Sequence, residues 1–443
     1  MRKIKILLGV TLIGAVLLVY FNYPKLNLIS GYASKNMASN VYVAGRNAED
    51  VQFVDHDMPL IKLAGSSVSE QEQTASANVF GLMTRTASYK EGLGAVLTNK
   101  DFSEHAFDKV PNRKIENDTL PFPYGNNGLV DTLLPNVDYD QIEVAFNNAL
   151  NNPEEKTRTL LVVYKDQIIG ERYIAGFTKD TPILGWSMTK SVLATLYGIL
   201  QHQGKIDINA KAPIDEWKND DRNTITINNL LRMQSGLAWD EDYFKISDVT
   251  KMLFLDADMT LAQRKNNLIA PPGQVWNYSS GTSNLLSGIL RDHFNDHQSY
   301  LDFPYASLID RIGMHSMLIE TDLLGNYVGS SYAWATTRDW AKFGLLYLHN
   351  GNWNGDQLFS KDWVEYITTP TKNSDGKYGG HFWLNAGGRF PDIPTSVYSA
   401  NGFQGQRVFI IPSKDMVVVR TGLEEQTDEQ FNMLLSEILM AIP

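Results

Sequence analysis

The chain has 443 residues, 43% of them hydrophobic and 11% aromatic, with 33 glycines and 17 prolines. That composition excludes a mostly disordered, collagen-like or many-span membrane protein, and the length suits one large domain with additions, or two domains. Thirty-nine basic against 50 acidic residues leave a net charge of −11, and no basic patch offsets it, so nucleic acid is not an expected partner. With no cysteine, disulfides, thiolate nucleophiles and cysteine–metal sites are ruled out, and any covalent nucleophile is Ser, Thr, Lys, Tyr or a carboxylate.

At the start, Arg2, Lys3 and Lys5 precede an uncharged stretch that lasts until Lys25. As a helix this stretch is roughly 28 Å long at ~1.5 Å per residue, near the thickness of a hydrocarbon core. Its apolar heart, Ile6–Phe21, ends among Tyr20, Phe21 and Tyr23, aromatics suited to a membrane interface. Residues 1–25 are therefore expected to be a membrane anchor with a cytoplasmic N-terminus and an exported remainder. A cleaved signal sequence is the competing reading, but the nearest small-residue site, Gly31-Tyr32-Ala33, lies far past the apolar run.

Residues 26–135 read as an extension of unknown role. Within it, Asn36–Lys100 suggests a small β-rich module, the polar run 66–78 a loop or linker, and the stretch around Pro111, Pro121, Pro123 and Pro135 an extended segment. From about 136 to 443 the pattern is regular. Leu160–Tyr164 and Ile168–Tyr173 form a hairpin pattern, and Ser187–Gln203 has helical apolar spacing that stops at Gly204. Helices follow at Ile227–Met233, Ser283–His293 and Thr337–His349. Strands Val408–Ile411 and Met416–Val419 make a second hairpin, and Asp428–Met440 a closing amphipathic helix. Strands at both ends and helices between predict an α/β domain of the α+β kind, with one sheet shared by its two ends and split by a helical insert.

Three stretches carry chemistry. In Ser187-Met188-Thr189-Lys190, a serine opens a helix, where the dipole favours an alkoxide, and a lysine one turn on shares its face. A desolvated lysine there is a general base. The plain alternative is a capping serine beside a solvated lysine. A second S-x-x-K, Ser374-Asp375-Gly376-Lys377, sits in a polar glycine-containing loop and reads as chance. In Trp276-Asn277-Tyr278-Ser279-Ser280-Gly281, the Tyr278 phenol stands at a loop tip before a helix and can relay a proton. In Tyr398–Gln406, Gly402 and Gly405 allow close backbone approach, and the amides of an edge strand there can complete an oxyanion hole with the Ser187 amide. His293 and His297 have the i, i+4 spacing of a helix metal pair but lack the glutamate of H-E-x-x-H, and neither a metal nor a cofactor is expected. No G-x-S-x-G elbow and no phosphate-binding glycine loop occurs.

In this order, S-x-x-K, Tyr-Ser-x and a glycine-rich strand entry, the motifs resemble the class C β-lactamase-like serine hydrolases. Within that superfamily the chain most resembles 6-aminohexanoate-dimer hydrolase and the family VIII esterases. Thr226–Leu237 and Trp334–Gly344 are similar as well, and the resemblance covers roughly 140–443. It implies a β-lactamase/transpeptidase-like fold: an antiparallel sheet flanked by helices, with an inserted all-α subdomain. It further implies Ser187 as the acylated nucleophile, Lys190 as its base and Tyr278 as the relay to the leaving group. The oxyanion hole would use the amides of Ser187 and Gln406, and Tyr243, Gly405 and Gln406 would contact substrate. The chain departs from penicillin-recognising relatives by carrying Phe403-Gln404-Gly405 where they have a basic box, and Tyr-Ser-Ser for Tyr-Ser-Asn. A small ester or amide is thus the expected substrate. A D,D-peptidase of penicillin-binding type, or a binding module without turnover, are the alternatives.

Overall fold

The computed structural model describes residues 2–98, 108–115, 119–126, 128–129 and 133–442. In chain order the helices are α1 (Arg2–Tyr42), α2 (Ala48–Asp50), α3 (Tyr139–Leu150), α4 (Met188–His202), α5 (Ile227–Leu231), α6 (Asp248–Phe254), α7 (Ser280–Asp292), α8 (His297–Pro304), α9 (Thr337–Leu348), α10 (Lys361–Thr368) and α11 (Asp428–Met440). They fall into two compact units. Unit 1 is Met1–Lys90, Gly94–Ser103 and Asp240–Ala257; unit 2 is Glu91–Leu93, Glu104–Trp239 and Asp258–Pro443. These bounds differ from the expected cuts at 25 and 135, because α1 runs on unbroken past Pro24 and a late segment, Asp240–Ala257, is gathered into unit 1.

Unit 1 is a helix laid across a meander of β1 (Ala64–Ser69), β2 (Thr74–Val79), β3 (Leu82–Lys90) and β4 (Gly94–Leu97), paired antiparallel in that order. Small residues let the layers approach: Ala33 and Ala38 of α1, and Ala75, Ala77, Ala87 and Ala95 of the sheet, are all fully buried. This explains why 66–78 is not the loop that its composition suggests. Alternate positions, Ala75, Ala77 and Val79, face the core while Thr74, Ser76 and Asn78 are only half-buried. Tyr42 donates to the carbonyls of Ser69 (2.8 Å) and Thr74 (3.3 Å), and α6 is held by Arg85, which donates to the Phe254 carbonyl at 2.9 Å. Most side chains of the Ile6–Phe21 stretch lie outside the described residues; among the described residues, no helix is long and apolar enough to cross a membrane.

Unit 2 is built on a six-stranded antiparallel sheet of β5 (Thr157–Tyr164), β6 (Gln167–Tyr173), β12 (Trp383–Leu384), β13 (Tyr398–Gly402), β14 (Gln406–Ile411) and β15 (Met416–Gly422), in the order β12-β13-β14-β15-β5-β6. The C-terminal β15 thus lies beside the early β5, as the sequence leads one to expect. Both faces are covered. Leu161, Val163, Val408, Ile410, Val417 and Val419 join the core around α4, α7 and α9. Their alternates, Leu160, Val162, Phe409, Ile411, Met416 and Val418, join the core under α3 and α11. Coverage on both faces is why these strands read as unbroken apolar runs. At Gly344 a Cβ would stand 2.7–2.8 Å from the methyls of Val417 and Val408, so glycine lets α9 press onto the sheet. A small sheet of β7 (Ile183–Leu184), β8 (Leu318–Ile319) and β9 (Ala333–Ala335), ordered β7-β9-β8, leads into α4, and β10 (Asn352–Trp353) pairs with β11 (Asp356–Gln357).

Ala33→Leu tests the close packing in unit 1. An added isobutyl group at a fully buried position should destabilise this unit by about 1–3 kcal/mol, measured by chemical denaturation, whereas Glu72→Leu in the exposed β1–β2 turn should be near neutral.

Candidate active site

The turn before α4 is tightly constrained. A Cβ on Gly185 would strike the Trp340 ring, and its amide donates to Ala333 of β9 at 2.8 Å. Trp186 takes a left-handed φ of +47°, an uncommon conformation for a large side chain, which delivers the chain to Ser187. Ser187 precedes the first residue of α4 with φ −65° and makes no capping hydrogen bond to it. Its hydroxyl is therefore not spent on the helix, and it remains half-buried rather than sealed off.

One turn on, Lys190 is 1% exposed. Its Nζ donates to Ser187 Oγ at 2.9 Å, to Ser280 Oγ at 3.0 Å and to the Ser330 carbonyl at 2.9 Å. Each partner comes from a different element: the α4 entry, the first turn of α7, and the loop before β9. The solvated-lysine reading of S-x-x-K does not describe this geometry. Nζ also lies 4.9 Å from the centroid of Tyr278, which directly precedes the Ser279 cap of α7. The Tyr278 ring stands against Trp383 (5.4 Å) and Tyr378 (5.8 Å), and Trp276 lies 5.5 Å from Tyr378. On the other side, the Trp186 ring contacts Phe403 (5.7 Å) and Tyr332 (6.2 Å).

Behind this group lies His381, fully buried. Its Nδ1–H donates to the Leu231 carbonyl at 2.6 Å, which leaves Nε2 to accept from Ser283 Oγ at 3.0 Å. Burial, with a smaller push from the Lys190 charge, lowers its pKa from 6.5 to about 3.

The glycine-rich stretch is arranged differently from its expected form. β14 is an interior strand between β13 and β15, so it offers no open edge. Gln406 pairs with Gly402, and its side chain donates to the carbonyls of Phe403, Gln404 and Gly422, while its Oε1 accepts from the Gly422 amide. The Gly405 amide is committed to Glu425 at 3.0 Å. The part that meets the Gly185-Trp186 turn before Ser187 is Gly402 to Gln404. A Cβ on Gly402 would run into the Gly185 carbonyl, and Gln404 Oε1 accepts from Trp186 Nε1 at 3.3 Å. Buried Arg420 donates to the carbonyls of Gln404 (3.1 Å) and Gly405 (2.9 Å) and so holds this turn from behind.

The other sequence-derived candidates have contacts of their own. Tyr243 belongs to the Asp240–Ala257 segment of unit 1, where it donates to Glu241 at 2.9 Å. Ser374 is a structural serine bonded to the carbonyls of Thr371 and Tyr378. His293 follows the end of α7 and His297 starts α8, so the pair does not share one helix face; His297 Nε2 bonds the Gly325 carbonyl at 3.0 Å. The residues missed by sequence reasoning are Ser280, Ser330, His381 and Arg420. Only Ser280 had a local signal, its place in the Tyr-Ser-Ser triplet.

A model of the Beta-lactamase family matches residues 155–428, more than half of the chain. The chain belongs to the beta-lactamase family. This beta-lactamase-family chain is 22% identical over 298 residues to the 6-aminohexanoate-dimer hydrolase of Paenarthrobacter ureafaciens, an alignment that spans 60% of this chain and 72% of that relative. Among solved structures, a family VIII carboxylesterase superposes with a TM-score of 0.54 at 15% identity, covering 71% of this chain and all of that one. A class C beta-lactamase mutant gives 0.54 at 14% identity, covering 70% of this chain and all of that one. The fold is thus the β-lactamase/transpeptidase-like one expected from the motifs, and the family's chemistry is hydrolysis of ester or amide bonds.

His381 gives a pH test. Its folded value of about 3 lies below the unfolded 6.5, so the unfolded chain binds the proton first as pH falls. The stability it contributes is present above about 6.5 and is lost toward 3, with a slope of about 1.4 kcal/mol per pH unit. His381→Gln should remove one proton's worth of that slope in denaturation curves taken across this window.

Proposed function

We propose that the chain is a serine hydrolase that cleaves an ester or amide through an acyl-enzyme on Ser187. The observation that carries this reading is the contact of the buried Lys190 Nζ with Ser187 Oγ at 2.9 Å. Once Lys190 has given up one proton, its Nζ lone pair takes the hydroxyl proton as Oγ attacks the carbonyl carbon. The developing oxyanion is received by the Ser187 amide and by an amide of the Gly402–Gln406 turn. Tyr278, beside Lys190, passes a proton to the leaving group, and water then attacks the acyl-enzyme and regenerates Ser187.

The substrate is proposed to be small and to present an apolar group to the aromatic side chains around Tyr278 and Trp186. Phe403-Gln404-Gly405 provides no cation where penicillin-recognising relatives bind a carboxylate, which supports a simple ester or amide over a β-lactam or D-Ala-D-Ala peptide. The uncharged stretch between Lys5 and Lys25, with its positive flank, supports a second proposal: α1 anchors an exported chain in the cytoplasmic membrane, with unit 2 on the outer side.

Ser187→Ala and Lys190→Ala should each abolish hydrolysis of p-nitrophenyl esters of short acids; an unchanged rate in either would overturn the assignment. A fluorophosphonate should label the wild-type chain while labelled penicillin does not. Penicillin labelling would favour a D,D-peptidase, and labelling by neither would favour a binding module.

A further inference from the structure

The path of α1 through unit 1 defines which end of the sheet faces the N-terminal stretch. Leu26 and Ile29 pack with Ile61, Ala64 and Val79. Tyr42, at the far end of the helix, bonds Ser69 and Thr74. In the β1–β2 ladder Ala64 pairs with Val79 at one end and Ser69 with Thr74 at the other. The part of α1 before Leu26 therefore leaves unit 1 past the Ala64/Val79 end.

That end carries an apolar rim. Leu60 and Leu63 lead into β1, and Phe80 and Leu82 flank the tight β2–β3 turn opposite, where Val79 pairs with Leu82. They are exposed by 49%, 41%, 79% and 44% respectively. Single exposed apolar residues are ordinary, but four round the exit of one helix make a patch. Two of them also occupy positions where polar residues or glycine are the easy choice: Leu60 has φ +70° and Phe80 φ +54°. Packing within unit 1 gives no reason for a phenylalanine at so exposed and constrained a turn. On α1 just outside the rim, Tyr20, Tyr23 and Lys25 are exposed, and Lys62, between the rim leucines, is 61% exposed. Apolar side chains ringed by tyrosines and lysines match the layered chemistry of a bilayer surface, with acyl chains below and anionic headgroups above.

We propose that Leu60, Leu63, Phe80 and Leu82 form a lipid-docking surface that seats unit 1 in the interfacial layer of a bilayer, with Lys25 and Lys62 at headgroup level. The proposal rests on the reading of α1 as an anchor, and adds that unit 1 stands on the membrane in a fixed orientation instead of hanging from a tether.

The absence of cysteine makes the test clean, because one introduced thiol is the only one in the chain. Full-length Phe80→Cys, Leu63→Cys and, at the opposite end of the sheet, Glu72→Cys are labelled with the environment-sensitive dye NBD. Each is reconstituted into phosphatidylcholine/phosphatidylglycerol vesicles, and ester hydrolysis should match the unlabelled chain. The dye at 80 and 63 should shift to the blue and lose most of its emission to nitroxide-labelled lipids, whereas at 72 it should respond only to aqueous iodide. If the chain floats with the vesicles but positions 80 and 63 respond only to iodide, the docking surface is refuted and the anchor stands. Shielding of those positions from both quenchers would place them against protein, such as a second copy, and also refute it. Failure to float would overturn the docking surface and the anchor together.

Discussion

The buried amine of Lys190 is the interaction on which the rest of unit 2 depends. Bringing a lysine head group out of water costs several kcal/mol unless its hydrogen bonds are replaced. Here the replacements are Ser187 Oγ, Ser280 Oγ and the Ser330 carbonyl, from three elements far apart in the chain. Each must be held to a few tenths of an ångström, which explains the constraints around them. Gly185 lies flush against Trp340, Trp186 is turned into left-handed backbone, and Ser330 is fixed through its amide to Asn284 Oδ1 at 3.0 Å.

The sheet supplies the rigidity that this arrangement needs. With helices on both faces, β14 and β15 are packed throughout, and the turn from Gly402 to Gln406 leaves the sheet at one end of β13. Arg420, reaching from β15, holds the carbonyls of that turn. Burial lowers the Arg420 pKa from 12.5 to about 9, and Arg407 nearby pushes it the same way. A cation kept there without exposure holds the turn that packs against Gly185 and Trp186.

The strand and helix pattern of unit 2 was legible in sequence because its signals are local. The helix over 428–440, the hairpins, and the Ser187–Lys190 pair all depend on neighbours within one or two turns of chain. Contacts across the fold left no such trace. Ser330 acts through its carbonyl, which any residue has, and His381 is one of eight histidines without a motif. Gln406 was expected on an open edge because nothing in its own stretch shows that β13 pairs on one side and β15 on the other. In unit 1, composition misled more directly. Serines and alanines of 66–78 look like a linker, yet their small size is what admits α1 to the sheet. The uncharged stretch ends at Lys25, which set the expected boundary there, but the apolar spacing of Leu26, Ile29, Ala33 and Met37 carries the helix on to Tyr42.

The proposed nucleophile is Ser187 Oγ, made reactive by Lys190. The direct measurement is peptide mass analysis of chain quenched in acid during turnover of a p-nitrophenyl ester. The acyl mass is expected on the peptide that holds Ser187 in the wild-type chain, and none when Lys190 is alanine. Turnover with no adduct, or with the adduct on another residue such as Ser374, would contradict it.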